Sequence, residues 1–95
     1  GSVAIDLNLL EASNILPFER VDIWNITNGA RIQTYAVEAP RGSCTIAVNG
    51  AASRHCSLGD RIIIASFARM EADQAKDHTP TILHLDEANI LQAVG

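Results

Sequence analysis

Serine at position 2, arginine at 31 and tyrosine at 35 are the residues of this chain with the most chemical reach. A hydroxyl becomes a nucleophile once something orients it, a guanidinium grips a carboxylate through two parallel donors, and a phenol delivers a proton without carrying a permanent charge. Arg31 and Tyr35 both fall in VDIWNITNGARIQTY, Val21 to Tyr35, where Asn28-Gly29 separates two runs of β-forming residues. Asn-Gly is the strongest short-range hairpin signal, because both turn residues tolerate positive φ. With Thr27 opposite Ala30, one face of the ribbon carries Val21, Ile23, Asn25, Thr27, Ala30, Ile32, Thr34 and Ala36. The other carries Asp22, Trp24, Ile26, Arg31, Gln33 and Tyr35, since side chains alternate across a strand. The first face is expected in the core. The second collects a cation, a phenol, a carboxylate and an indole on one rigid ribbon. In this register Asp22 faces Tyr35, although balancing Arg20 or Arg31 at the surface explains Asp22 equally well.

The remaining reactive side chains form no such set. Cys44 and Cys56 are too few for a disulfide framework and have no zinc spacing, so they read as two reduced thiols. His55 adjoins Cys56, but neighbours in an extended segment point opposite ways, which weakens a nucleophile pair. His55, His78 and His84 read as surface or interface residues, and the acids of Glu71 to Asp77 as a solvated face.

The elements that must position the ribbon are short. Asp6 ahead of Leu7, Leu9, Leu10 and Ala12 predicts a capped helix that ends near Asn14, before Pro17. Ala39 to Ser43 is a turn cluster, Cys44 to Val48 a strand, and Ala51 to His55 a single helical turn. Arg61 to Phe67 is an apolar run suited to a strand buried on both faces. Glu71 to Lys76 reads as a brief helix, and Thr81–Leu85 and Ile90–Val94 as closing strands. Close-spaced strands with brief helices predict a mainly β protein, a small β-barrel without exposed edges.

Ninety-five residues make one domain, 1–95, with no room for a second. A hydrophobic fraction of 47% beside 19% charged residues points to apolar surface buried against other subunits. A net charge of -4 without a basic run argues against a nucleic-acid partner. No signal peptide or membrane-length apolar run is present, so no membrane partner and a cytoplasmic location are expected.

Gly1-Ser2, Ile5-Asp6, Ile23 to Gly29, Arg31, Thr34-Tyr35, Arg41-Gly42-Ser43, Val48 to Ala52, Gly59-Asp60 and Ile63 to Phe67, in that order and spacing, resemble the pyruvoyl-dependent aspartate 1-decarboxylases. The resemblance runs from Gly1 to about Ile90. It implies a double-psi β-barrel, a homotetramer with sites between subunits, and a proenzyme that cuts itself between Gly1 and Ser2. Ser2 would attack the Gly1 carbonyl and end as a pyruvoyl group, so no metal or pyridoxal phosphate is needed. The pyruvoyl ketone would form a Schiff base with L-aspartate and accept the electrons freed as carbon dioxide leaves, giving β-alanine for pantothenate. Arg31 matches the family's substrate-carboxylate arginine and Tyr35 its proton donor. Thr34 and Asn49 match positions tied to processing and to holding the site, Trp24 and Ile63 wall positions, and Gly50, Ala51 and Ala52 a backbone segment lying against substrate. The family carries an N-terminal β-chain segment with a further strand before the glycine, which this sequence does not contain, so part of the site is expected from outside it. A maturation factor is left open by the resemblance. A rival reading keeps the barrel as a non-catalytic binding or adaptor module.

Overall fold

The computed structural model describes every residue from Gly1 to Gly95. Its first element is one the residue pattern did not announce. Ser2–Asp6 forms strand β1, with Val3 and Ile5 pointing into the core, before Asp6 hands the chain to helix α1, Leu7–Ser13. A five-residue strand running straight into a helix cap has little local signature, and its partners are remote: β3 (Arg31–Ala39) in parallel and β4 (Ile46–Asn49) antiparallel. Asp6 is the joint between these pieces. Its carboxylate accepts from the backbone N–H of Asn8 (2.8 Å) at the helix start, and from Gly42 (3.0 Å) and Cys44 (2.8 Å) in the turn ahead of β4. Burial alone would push this carboxyl up, but those three N–H groups and the charge of Arg41 outweigh it and hold it below its ordinary value. Asn14, in left-handed geometry, ends α1 as the sequence predicts.

The main sheet runs β4-β1-β3-β2-β5, with β2 at Arg20–Asn25 and β5 at Ile62–Ala65. Strand β3 changes partner along its length. Residues Arg31 to Tyr35 pair with β2, while Ala36 to Ala39 pair with β1. That exchange curls the sheet into a half-barrel around Val3, Ile5, Leu9, Leu10, Ile15, Val21, Ile23 and Ala36. Each of the fully buried Leu10, Ile23, Val3 and Val21 contributes about 1.5–3 kcal/mol of burial. A separate ribbon, β6 (Leu83–Leu85) with β7 (Leu91–Val94), lays Leu83 and Leu85 on this core. A 3₁₀ helix, Gly50–His55, and helix α2, Ala72–Asp77, complete the chain. The architecture is mainly β, a curled half-barrel with few short helices, as a small double-psi β-barrel has.

Five expectations need correction. The β2–β3 register is displaced by two residues: Arg20 faces Tyr35, Val21 faces Thr34, Asp22 faces Gln33 and Trp24 faces Arg31. The turn is not a two-residue Asn-Gly turn, because Asn25 closes a longer loop. Its Oδ1 accepts from Thr27 N (2.9 Å) and Asn28 N (3.3 Å), its carbonyl accepts from Gly29 N (2.8 Å), and only Gly29 of the dipeptide has positive φ. An even displacement leaves the faces unchanged, so Val21, Ile23 and Asn25 still point inward. Thr27 leaves the core face for the loop, where its Oγ1 accepts from Arg61 N at 2.9 Å. Strand β4 starts later than Cys44, since Cys44 takes a left-handed φ of 55 as its N–H turns to Asp6. Strand β5 is not buried on both faces; it pairs only with β2, at the sheet edge, and Ile63 is exposed.

Candidate functional site

Where β3 changes partner, a cleft of about 610 Å³ opens, lined by Gly1, Thr34, Tyr35, Ala51 and Ala52 together with Arg20, Ile32, Gln33 and His55. The pairing of β1 explains the convergence. Ser2 faces Asn49 across the antiparallel pair, and the parallel register of Val3 with Ala36, continued backward, brings Ser2 and Gly1 alongside Tyr35 and Thr34. The 3₁₀ helix then folds over the terminus. A Cβ on Gly1 would lie 3.0 Å from the Ala52 Cβ and 3.1 Å from its backbone nitrogen. At Gly50, whose φ is +65, a Cβ would lie 3.2 Å from the Gly1 Cα. Small residues are therefore favoured here by close contact, and at Gly50 by its positive φ as well. Thr34 Oγ1 is buried in the same wall and has no hydrogen-bond partner.

Side chains remote from the cleft hold the 3₁₀ helix in place. Asn25 Nδ2 and Asn28 Nδ2 each donate to the His55 carbonyl at 3.0 Å. Asn25 Nδ2 also donates to Asp60 Oδ2 at 2.8 Å, and Asp60 accepts from Ser57 N at 2.8 Å. The Ser57 N–H and the Asn25 amide hold the Asp60 carboxyl below its ordinary range, against the opposing effect of burial.

The other site residues expected from the sequence lie elsewhere. Arg31, Trp24 and Ile63 form a second group on the outer face of the β2–β3 ribbon, where Trp24 faces Arg31 on one side and Ile63 on the other. The Arg31 guanidinium carbon sits 4.6 Å from the Trp24 ring centroid, a cation–π contact, and Phe67 tilts against the same indole at 6.2 Å. Arg31 borders a smaller hollow of about 260 Å³ with Asp22, Ile32 and Gln33. Thus Gly1, Ser2, Thr34, Tyr35, Asn49, Gly50, Ala51 and Ala52 gather in and beside the cleft, and the structure does not bring Arg31, Trp24 and Ile63 to it within one chain. Arg20 and His55 line the cleft without having been expected there. The corrected register is the signal that finds Arg20.

Fold and cleft together describe a small mainly β protein whose chain head is packed by small residues against a polar wall. Residues 1–92 match the family model for aspartate decarboxylase. Over 89 residues, 94% of this chain and 75% of the relative, the sequence is 65% identical to an aspartate 1-decarboxylase of Hyphomonas neptunium. It is 53% identical to that of Caulobacter vibrioides over 92 residues, 97% of this chain and 78% of the relative, and 53% identical to that of Chromobacterium violaceum over 94 residues, 99% and 75%. The chain belongs to the aspartate decarboxylase family and is an enzyme of that type.

Proposed function

We propose that this chain, as one domain over residues 1–95, catalyses α-decarboxylation of L-aspartate to β-alanine in the cytoplasm, for pantothenate synthesis, using a pyruvoyl group derived from Ser2. The residues present fit that group. Gly1 lies in a cradle that an added Cβ would overfill, and the unpartnered Thr34 hydroxyl is available to a polar group formed at the chain head. This close packing of Gly1 against Gly50 and Ala52, beside Thr34, is the observation that carries the reading. The pyruvoyl ketone supplies the electron sink that lets a carboxylate leave as carbon dioxide.

The chain's own residues do the rest. In self-cleavage the Ser2 hydroxyl would attack the Gly1 carbonyl, which a glycine leaves open to approach, and the Gly1–Ser2 amide would become an ester. Elimination would release the Gly1 carboxylate, and hydrolysis of the resulting dehydroalanine, with loss of ammonia, would leave the pyruvoyl group. Thr34 and Asn49 orient the peptide that breaks. Gly50, Ala51 and Ala52 keep side chains away from the substrate. Tyr35, on the cleft wall, delivers a proton to the carbon that loses carbon dioxide. Arg31 binds a substrate carboxylate, with Trp24 and Ile63 as its wall. Since that group lies outside the cleft of its own chain, the reading places it against the cleft of a neighbouring copy in a homotetramer. The exposure of Phe67 (68%) and Ile63 (44%) beside Arg31 supports such a contact. The reading also includes a leading β-chain segment that completes the site, and uses neither metal nor pyridoxal phosphate.

Intact mass of natively processed protein tests this. A chain beginning at the former Ser2, lacking its amine and modified by hydroxylamine or borohydride, is expected. An intact Gly1-Ser2 peptide with no carbonyl would reject the reading in favour of a binding module.

A further inference from the structure

The displaced register puts Arg20 directly across the ribbon from Tyr35. Paired β-carbons of this kind lie about 4.5–5.5 Å apart, so the two side chains share one patch of surface. Arg20 lines the cleft with Gly1, Thr34, Tyr35 and Ala52, and is exposed to solvent there. Its Nη2 donates to Oε1 of Gln33, the diagonal neighbour on the same face. Gln33 is a neutral acceptor, so it orients the guanidinium without neutralising it. The only ion pair in the structure is Arg41 with Glu11, so Arg20 has no carboxylate in direct contact. Arg31 borders the other hollow, and Arg20 is therefore the guanidinium that a chain presents in its own cleft. In a protein of net charge -4, that cation favours the approach of an anion to the cleft.

We propose that Arg20 is a specificity-determining residue of the cleft, holding the retained carboxylate of a dicarboxylic amino acid beside Tyr35. The identity of the substrate rests on the decarboxylase reading; the preference of the cleft for a carboxylate does not. One donor of the fork is committed to Gln33, and the remaining donors suffice for bidentate capture. The retained carboxylate is the useful target, because a cation fixed on the departing one stabilises the ground state and slows its loss. Neutral amino acids lack the group and leave Arg20 unpaired.

Arg20→Gln and Arg20→Lys in the full processed enzyme test this. Arg20→Gln is expected to raise KM for L-aspartate about fivefold, the upper range for an exposed ion pair. Its kcat and its content of hydroxylamine-reactive carbonyl should change far less, and Arg20→Lys, a point charge without the fork, should recover part of the loss. Unchanged KM in Arg20→Gln overturns the proposal. Titration with succinate, a dicarboxylate without an amine, reads the same contact without turnover. Its affinity should fall about fivefold in Arg20→Gln and its salt dependence should weaken, while binding of the neutral diamide succinamide barely changes. Equal succinate affinity in wild type and variant also overturns the proposal. Wild type that binds succinate through Arg20 yet releases no carbon dioxide from aspartate rejects the decarboxylase reading and leaves the Arg20 assignment standing.

Discussion

The cleft at the chain head and the Trp24–Arg31 patch are built on opposite plans. The cleft is made by backbone approach: Gly1, Gly50 and Ala52 meet at distances that leave little room for an added methyl group. The patch is made by large side chains hung on a strand, an indole under a guanidinium with Phe67 and Ile63 beside it, and no glycine is needed. Chemistry on the main chain demands the first plan, because a reacting carbonyl must be approached from close by. Recognition suits the second, because long side chains reach across to something that arrives from outside. One chain carries both and keeps them apart.

Ser2→Ala breaks the cleft's proposed chemistry outright. Complete loss of the hydroxylamine-reactive carbonyl and of β-alanine release is expected, with the chain uncut by mass spectrometry; any cleavage at this bond would contradict the assignment. Tyr35→Phe sharpens the comparison within the cleft. Turnover should fall by about 10²-fold or more, as removal of a positioned acid does, with carbonyl content unchanged. Arg31→Ala tests the patch, and should raise KM for aspartate about tenfold or more, the scale of a lost charge-assisted hydrogen bond. If it acts across subunits, a mixture of Arg31→Ala and Ser2→Ala chains should regain activity in mixed assemblies, whereas strict inactivity would confine both residues to one chain.

Smaller effects separate packing from chemistry. Gly50→Ala should cost about 1–2 kcal/mol in denaturant unfolding, from the left-handed φ, and should disturb processing through the 3.2 Å approach to Gly1. Normal processing would show that the terminus shifts freely. The weakest effect is that of pH. Asp6 and Asp60 have folded values below the ordinary 3.8, so their stabilising contribution is present above that value. It is lost as pH falls through the depressed folded values. Thermal melts from neutral pH downward should show Tm declining in that acid range, with a shallower decline in Asp6→Asn and Asp60→Asn.

The residue pattern made the two faces of the ribbon legible, because side chains alternate with period two whatever the pairing, and a displacement by two residues leaves the faces intact. The exact partners were not legible. The Asn-Gly signal is local, and it was overridden by Asn25, whose side chain and carbonyl close a longer loop while its amide reaches Asp60 and His55 far along the chain. Arg20 stayed hidden for that reason. Strand β1 stayed hidden for a related one: its parallel partner lies some thirty residues on, and parallel pairing leaves no turn to read.

The sequence by itself determined the helix cap at Asp6, the inward and outward faces of the hairpin, the small-residue segment at Gly50–Ala52 and, through the order of its motifs, the family. Those features depend on residue type and near neighbours. The tertiary structure alone decided that β1 inserts between β3 and β4, that the 3₁₀ helix closes over Gly1, that Arg20 stands across from Tyr35, and that Arg31 borders a separate hollow. Each depends on contacts between segments distant in the chain, whose loop-closure cost is repaid only when the whole core forms, so no local run of residues records them.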